Sequence, residues 1–207
     1  MSEKKEMRVG MYGGTFDPPH YGHVVAAAEA ARKLELDKLY VVPAFIPPHK
    51  RDENCSPASD RLEMAELAFR KIPGAVVSDI EIKREGMSYT ADTLEELGEL
   101  FPDAKLYLLL GEDKFMTVQN WVRSEEIFAA CTPVAFARDE GQTAELQHHA
   151  GFLMERYGAH CEVLETHILP ASSSEIREKL AAGEECELIQ DEVREYIERR
   201  RLYRGEK

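Results

Sequence analysis

The sequence predicts an α/β fold with a doubly wound, mostly parallel sheet, and three observations carry that expectation. Short apolar runs alternate with longer Ala/Glu/Leu-rich segments of helical periodicity along almost the whole chain. One such run, residues 105–110 (KLYLLL), lacks the apolar/polar alternation of a half-exposed strand, as a strand covered on both faces should. The first run ends in Gly13-Gly14 just ahead of a helical segment, the layout of a strand–turn–helix unit with a right-handed crossover.

In chain order, residues 7–12 read as the first buried strand, 22–36 as a helix and 38–43 (KLYVVP) as a second strand. The stretch 44–57 contains Pro47, Pro48 and Pro57 and reads as a long loop. Ser59 is placed to cap a helix along which Leu62, Ala65, Leu67 and Phe69 recur. A strand near 75–80 leads to a turn at 84–88, and Thr90 or Asp92 is expected to cap a helix over 90–100. Beyond the 105–110 strand come strands at 132–137 and 161–165, separated by a helix near 143–157, and terminal helices at 173–182 and 191–200. The run 192–204 alternates acid and base and is a solvated helix with Val193, Tyr196 and Ile197 as its buried stripe. With no internal repeat or linker-like tract, residues 1–207 are expected to form a single domain.

Of the 207 residues, 43% are hydrophobic and 31% charged, which suits a soluble chain able to bury a sizeable core. No apolar run approaches the roughly 18 residues of a membrane span. The charged start MSEKKEMRVG lacks the apolar stretch of a secretion signal, so a cytoplasmic protein is expected. Cys55, Cys131, Cys161 and Cys186 are scattered, which suggests incidental thiols rather than a zinc site or disulfide framework. A net charge of −13 argues against binding nucleic acid or anionic lipid broadly. A small anionic substrate stays possible where positive groups gather locally.

The string Gly13-Gly14-Thr15-Phe16-Asp17-Pro18-Pro19-His20-Tyr21-Gly22-His23 is the most informative. Glycines after a buried strand let the backbone approach a ligand closely, and the helix that follows directs free N–H groups and its positive end at the same crevice. His20 and His23 stand at i and i+3, able to face one phosphate chain. Further along, Ser172-x-x-Glu175 forms a capping box, and the helix it opens carries Arg177 on its first turn, a second place for an anion.

Gly13 to His23 resembles the T/HxGH signature of the nucleotidyltransferase superfamily, in the form GGTFDPxHxGH of the bacterial nicotinate mononucleotide adenylyltransferases. Four further segments resemble that family in order: Pro47-Pro48-His49-Lys50, Ser88 to Leu94 (SYTADTL), Gly111-Glu112-Asp113 with Trp121, and Ala171 to Arg177 (ASSSEIR). Ala171 and Ser174 replace the usual Ile and Thr, and Val122 stands where an aromatic residue is common. The resemblance implies a Rossmann-like fold and adenylyl transfer from ATP to nicotinic acid mononucleotide, giving deamido-NAD and pyrophosphate in NAD biosynthesis.

It also implies that Gly13, Gly14, Thr15, Phe16, Gly111 and Asp113 contact ATP, with His20 and His23 catalytic at its phosphates. Ser172, Ser173 and Arg177 would bind the β and γ phosphates, so the helices over 173–200 carry the ATP-phosphate motif. Lys50, Tyr89, Thr90 and Trp121 would hold the mononucleotide, with the tryptophan against the pyridine ring. No carboxylate cage for a metal is apparent, so Mg²⁺ is expected to arrive with ATP. The pattern leaves the oligomeric state open, a homo-oligomer included. A phosphopantetheine or cytidylyl transferase would share the first loop but lack SYTADTL with a downstream tryptophan. A non-catalytic nucleotide sensor would have shed the charged site residues that His20, His23, Lys50 and Arg177 retain.

Overall fold

The computed structural model describes residues 6–47, 55–137, 139–166 and 171–204. Six parallel strands form one sheet in the order β3-β2-β1-β4-β5-β6. They are β1 (Met7–Gly14), β2 (Lys38–Pro43), β3 (Ala75–Val77), β4 (Ala104–Leu110), β5 (Thr132–Ala137) and β6 (Glu162–Glu165). The chain winds outward from β1 to β3, returns to the other side of β1 for β4, then winds outward again to β6. The order therefore reverses between β1 and β4, and open α/β sheets bind ligands outside the carboxyl ends of strands at that reversal.

Side chains alternate between two cores. On β4, Tyr107 and Leu109 enter the core packed with α1 (Tyr21–Lys33), α2 (Ala58–Phe69) and α9 (Asp191–Arg200). Leu106, Leu108 and Leu110 enter the opposite core with α4 (Thr90–Leu100), α6 (Ser124–Ala130) and α7 (Glu140–Tyr157). Both faces being covered, β4 carries no polar alternation after Lys105. Gly10 on β1 allows close packing: a Cβ there would lie 2.5 Å from Leu36 Cδ1.

Several elements differ from the sequence expectation. Helix α1 ends at Lys33, with Leu34 as its C-cap and Glu35 in the left-handed region, rather than running to residue 36. Pro57, not Ser59, precedes the first residue of α2, so Ser59 lies inside the first turn. The N-cap of α4 is Tyr89, with no side-chain cap, so neither Thr90 nor Asp92 caps the helix. Strand β3 stops at Val77, and a short helix, α3 (Ile80–Arg84), fills the ground between it and the 85–89 turn. The one-turn helix α5 (Glu112–Phe115) and α6 were too short to show a period. Helix α7 begins at Glu140 under an Asp139 cap, and α8 (Ser173–Ala182) and α9 have the expected bounds. Among the described residues no helix is long and apolar enough to cross a membrane.

Candidate functional site

A cavity of about 530 Å³ opens over the carboxyl ends of β1 and β4, the size of a small-molecule site. Its walls gather most of the residues singled out in the sequence. Gly13, Gly14, Thr15, Phe16, His20 and His23 form one side, Ser172, Ser173 and Arg177 close one end, Tyr89, Thr90 and Trp121 line the other, and Gly111 joins the lining just past β4. Asp113 is not among the lining residues; its neighbours Glu112 and Lys114 are. Lys50 and His49 lie outside the described residues.

The first loop is held from below by aromatic packing. Phe16 has φ 50° and turns its ring into the core, edge-on to Tyr12, Phe69 and His23. A Cβ on Gly14 would come 2.9 Å from Phe16 Cζ, so this glycine lets the loop fold back over its own ring. His20 is the N-cap of α1, an uncommon residue in that role. Its Nδ1 accepts the N–H of His23 at 3.4 Å, and His23 Nδ1 accepts the N–H of His20 at 3.2 Å. The two rings stack with centroids 3.7 Å apart.

This reciprocal capping sets the tautomers. With both Nδ1 atoms accepting, each neutral ring carries its proton on Nε2, the free donor. Burial lowers the His20 pKa to about 4. His23 is held well below the usual histidine range by burial and by its neighbour His20. Near neutral pH the pair therefore presents two neutral Nε2–H donors beside the N-terminus of α1, without spending fixed charge on the site.

Asp17 ties this loop to the rest of the molecule and was missed by the sequence reading. Its carboxylate, 3% exposed, accepts the Ser56 N–H at 3.1 Å and the Tyr203 hydroxyl at 2.5 Å. The Asp17 carbonyl accepts Arg177 Nη1 at 2.7 Å, and the Pro18 carbonyl accepts the Ser173 hydroxyl at 2.9 Å. These contacts dock the start of α8 beside the start of α1, so two helix N-termini converge on one end of the cavity. Ser172 caps α8 by accepting the Glu175 N–H, which forms one of the two bonds of the expected capping box. Arg177 also reaches Ser174 Oγ at 3.2 Å, and among the described residues no carboxylate pairs with it.

Beneath the loop lies Arg61, 1% exposed and bonded to the carbonyls of Thr15, Phe45 and Ser56, each at 3.0 Å. It satisfies a buried guanidinium with backbone and fastens the first loop to the segment after β2. No local sequence pattern announces it.

The opposite end is built differently. Tyr89 enters α4 in extended conformation, and the first turn of that helix has no side-chain cap. Its leading N–H groups are therefore available to a ligand. Behind them Thr93 donates to the buried Glu81 at 2.7 Å, and burial raises the Glu81 pKa. Ser88 accepts the Phe45 N–H at 2.8 Å, which joins this turn to the loop after β2. Trp121 follows a 3₁₀ turn at Val118–Asn120 and stands across the cavity in extended conformation, with Val122 largely exposed beside it. Among the described residues no three His, Cys, Asp or Glu side chains converge as a metal-binding group.

A reversal of strand order, two helix N-termini and a histidine pair facing one cavity define the class as that of α/β nucleotide-binding proteins, which take their ligands at such a switch point. Residues 11–179 match the model of the cytidylyltransferase-like family. A protein of Geobacillus thermodenitrificans is 39% identical over 197 residues, spanning 95% of this chain and 86% of its own. One of Exiguobacterium sibiricum is 36% identical over 198 residues, 95% and 99% respectively. Both are described as "probable nicotinate-nucleotide adenylyltransferase". The chain belongs to the cytidylyltransferase-like family and, within it, to the nicotinate-nucleotide adenylyltransferases. The same fold is seen in a Plasmodium falciparum nicotinic acid mononucleotide adenylyltransferase complexed with NaAD, with TM-score 0.77, 19% identity and 96% and 98% coverage.

Proposed function

We propose that this cavity joins ATP to nicotinic acid mononucleotide, forming deamido-NAD and releasing pyrophosphate. The carrying observation is that one end gathers donors for a polyanion while the other offers bare N–H groups and an aromatic face. Family membership supports the same reaction.

In this reaction a phosphate oxygen of the mononucleotide attacks the α-phosphorus of ATP, and the bond to the pyrophosphate oxygen breaks. The nucleophile is already ionised near neutral pH, so no general base is needed. The obstacle is charge: two unit charges about 4 Å apart repel by about 4 kcal/mol at an effective dielectric of 20. Catalysis is then positioning and neutralisation, as elsewhere in phosphoryl chemistry. His20 and His23 direct Nε2–H at the phosphates, with His23 at the α-phosphate as charge shifts in the transition state. Arg177, Ser172, Ser173 and the starts of α1 and α8 hold the β and γ phosphates. Gly13, Gly14, Thr15, Phe16 and Gly111 bound the rest of ATP, and Asp113, outside the lining, is left a role at the rim.

Tyr89, Thr90 and Trp121 hold the nicotinate, and Lys50 is assigned to the mononucleotide phosphate from its sequence position. A divalent cation, which we take to be Mg²⁺, fits as a companion of ATP held by phosphates and water, since hard cations accept such ligands without a protein cage. When bound it neutralises phosphate charge. Residues 1–207 act as one catalytic unit, with α8 and α9 carrying the rear phosphate motif. We assign the enzyme to the cytoplasm on its composition, and the net charge of −13 disfavours a nucleic-acid partner.

The test is pyrophosphate release from ATP with nicotinic acid mononucleotide, its nicotinamide analogue and phosphopantetheine in parallel. Turnover led by the first supports the reading; turnover led by phosphopantetheine replaces it with another transferase.

A further inference from the structure

Trp121 and Val122, on one wall of the mononucleotide end, run directly into Arg123, which sits in the left-handed region at φ 60°, ψ 37° and precedes α6. A non-glycine residue there is strained and persists only where its surroundings demand it. What demands it is the side chain. The Arg123 guanidinium reaches Asp92 Oδ1 at 2.5 Å and Glu95 Oε2 at 3.2 Å, both on α4, and Glu126 Oε2 at 2.5 Å on α6. Asp92 is the third residue of α4, on the very turn whose N–H groups face the cavity.

Two consequences follow from that geometry. The fork of Arg123 fixes the spacing between the segment bearing Trp121 and the start of α4, the two walls between which a flat ring would lie. It also covers the Asp92 charge, which would otherwise oppose a substrate carboxylate arriving at the same helix end.

We propose that Arg123 is a positioning and specificity residue: by clasping Asp92 it sets the width of the pyridine slot and keeps the start of α4 receptive to a carboxylate. This rests on the reading of the cavity as a nicotinate site. It does not require Arg123 to touch substrate.

The experiment measures kcat and KM for nicotinic acid mononucleotide, its amide analogue and ATP in the wild type, Arg123→Gln, Asp92→Asn and the double variant. In Arg123→Gln the acid-over-amide ratio of kcat/KM should fall by about three- to fivefold, the size of effect that exposed ion pairs give, while KM for ATP stays within twofold. Adding Asp92→Asn should restore most of the ratio, because the uncovered charge is gone. Loss of the slot width alone should persist in the double variant as a raised KM shared by both mononucleotides.

A purely structural role for Arg123 would lower activity on all substrates together, leave the ratio untouched and escape rescue. Either an unchanged ratio in Arg123→Gln or no recovery in the double variant overturns the proposal. Asp92→Asn alone keeps Arg123 tied to Glu95 and Glu126 and should keep or raise the ratio; a fall there also overturns it. Failure of the wild type to use nicotinic acid mononucleotide would overturn the functional reading itself, a result distinct from these.

Discussion

In the proposed reading, the two ends of the cavity meet negative charge by different means. At the phosphate end the side chains do the work: two histidines capping each other, an arginine with no carboxylate partner among the described residues, and serine hydroxyls, all set on the starts of α1 and α8. At the pyridine end the N–H groups of an uncapped helix would meet the ligand, and the acidic side chains around them, Glu81, Asp92 and Glu95, are accompanied by Arg84 and Arg123, which bond within the protein. The difference follows from what each end must do. Holding a polyanion calls for many donors at once and tolerates little selectivity. Telling a carboxylate from a carboxamide needs only donors fixed in place, and backbone N–H groups at a helix start supply them without an arginine aimed at the ligand.

The sharpest way to break this contrast is at the histidines. His23→Ala should lower kcat by about 10² or more, the range for loss of a transition-state donor, with the circular dichroism of the fold retained. A kcat near that of the wild type would remove His23 from the chemistry. Next is selectivity at the other end. The enzyme should prefer nicotinic acid mononucleotide to the amide by roughly tenfold to a few hundredfold in kcat/KM, since a lost charge-assisted bond costs about 1.5–3 kcal/mol and the amide turns its own N–H₂ toward donors. Equal values would mean that the Tyr89–Thr90 turn does not read the carboxylate.

Arg177→Ala should weaken ATP binding by about tenfold, one charge-assisted contact, and leave mononucleotide binding nearly unchanged. Calorimetric titration of each ligand checks the split, and equal losses would merge the two ends into one site.

The smallest effect is on stability. Both histidine pKa values lie below the unfolded value near 6.5, so the native state excludes a proton that the unfolded chain takes up. Their contribution is complete above pH 6.5 and is lost as pH falls toward 4. His20→Asn, which can still cap α1 but cannot titrate, should reduce the drop in Tm between pH 7 and pH 5 by about 5 °C. An identical drop in both proteins would show that the buried pair does not govern acid sensitivity.

How much of this was legible in the sequence depended on how local its cause is. The strand at 105–110 could be read because burial on both faces writes itself into six consecutive residues. The start of α8 could be read because its N-cap bond, Glu175 N–H to Ser172, closes within four residues. Caps with competing partners were misjudged: Asp92 looked like a cap, but Arg123, 31 residues away, claims its carboxylate. Asp113 and Glu112 adjoin on a one-turn helix, and which of them faces the cavity is set by how Gly111 turns off β4, which neighbouring residue types do not encode. Arg61 and Asp17 were missed because their partners are backbone carbonyls, or residues far along the chain, gathered only by the fold.

The bond between Asp17 and Tyr203 spans 186 positions, so the first loop is completed by a residue from the opposite end of the described fold. Such a contact closes a loop of very high sequence separation, the kind of pairing whose closure entropy slows folding. Until the turn after α9 is in place, the Asp17 carboxylate lacks its hydroxyl partner, and the carbonyls that steady Ser173 and Arg177 sit on an unfinished loop. Assembly of the proposed phosphate site is thereby coupled to docking of the segment after α9, a step separate from formation of the central sheet.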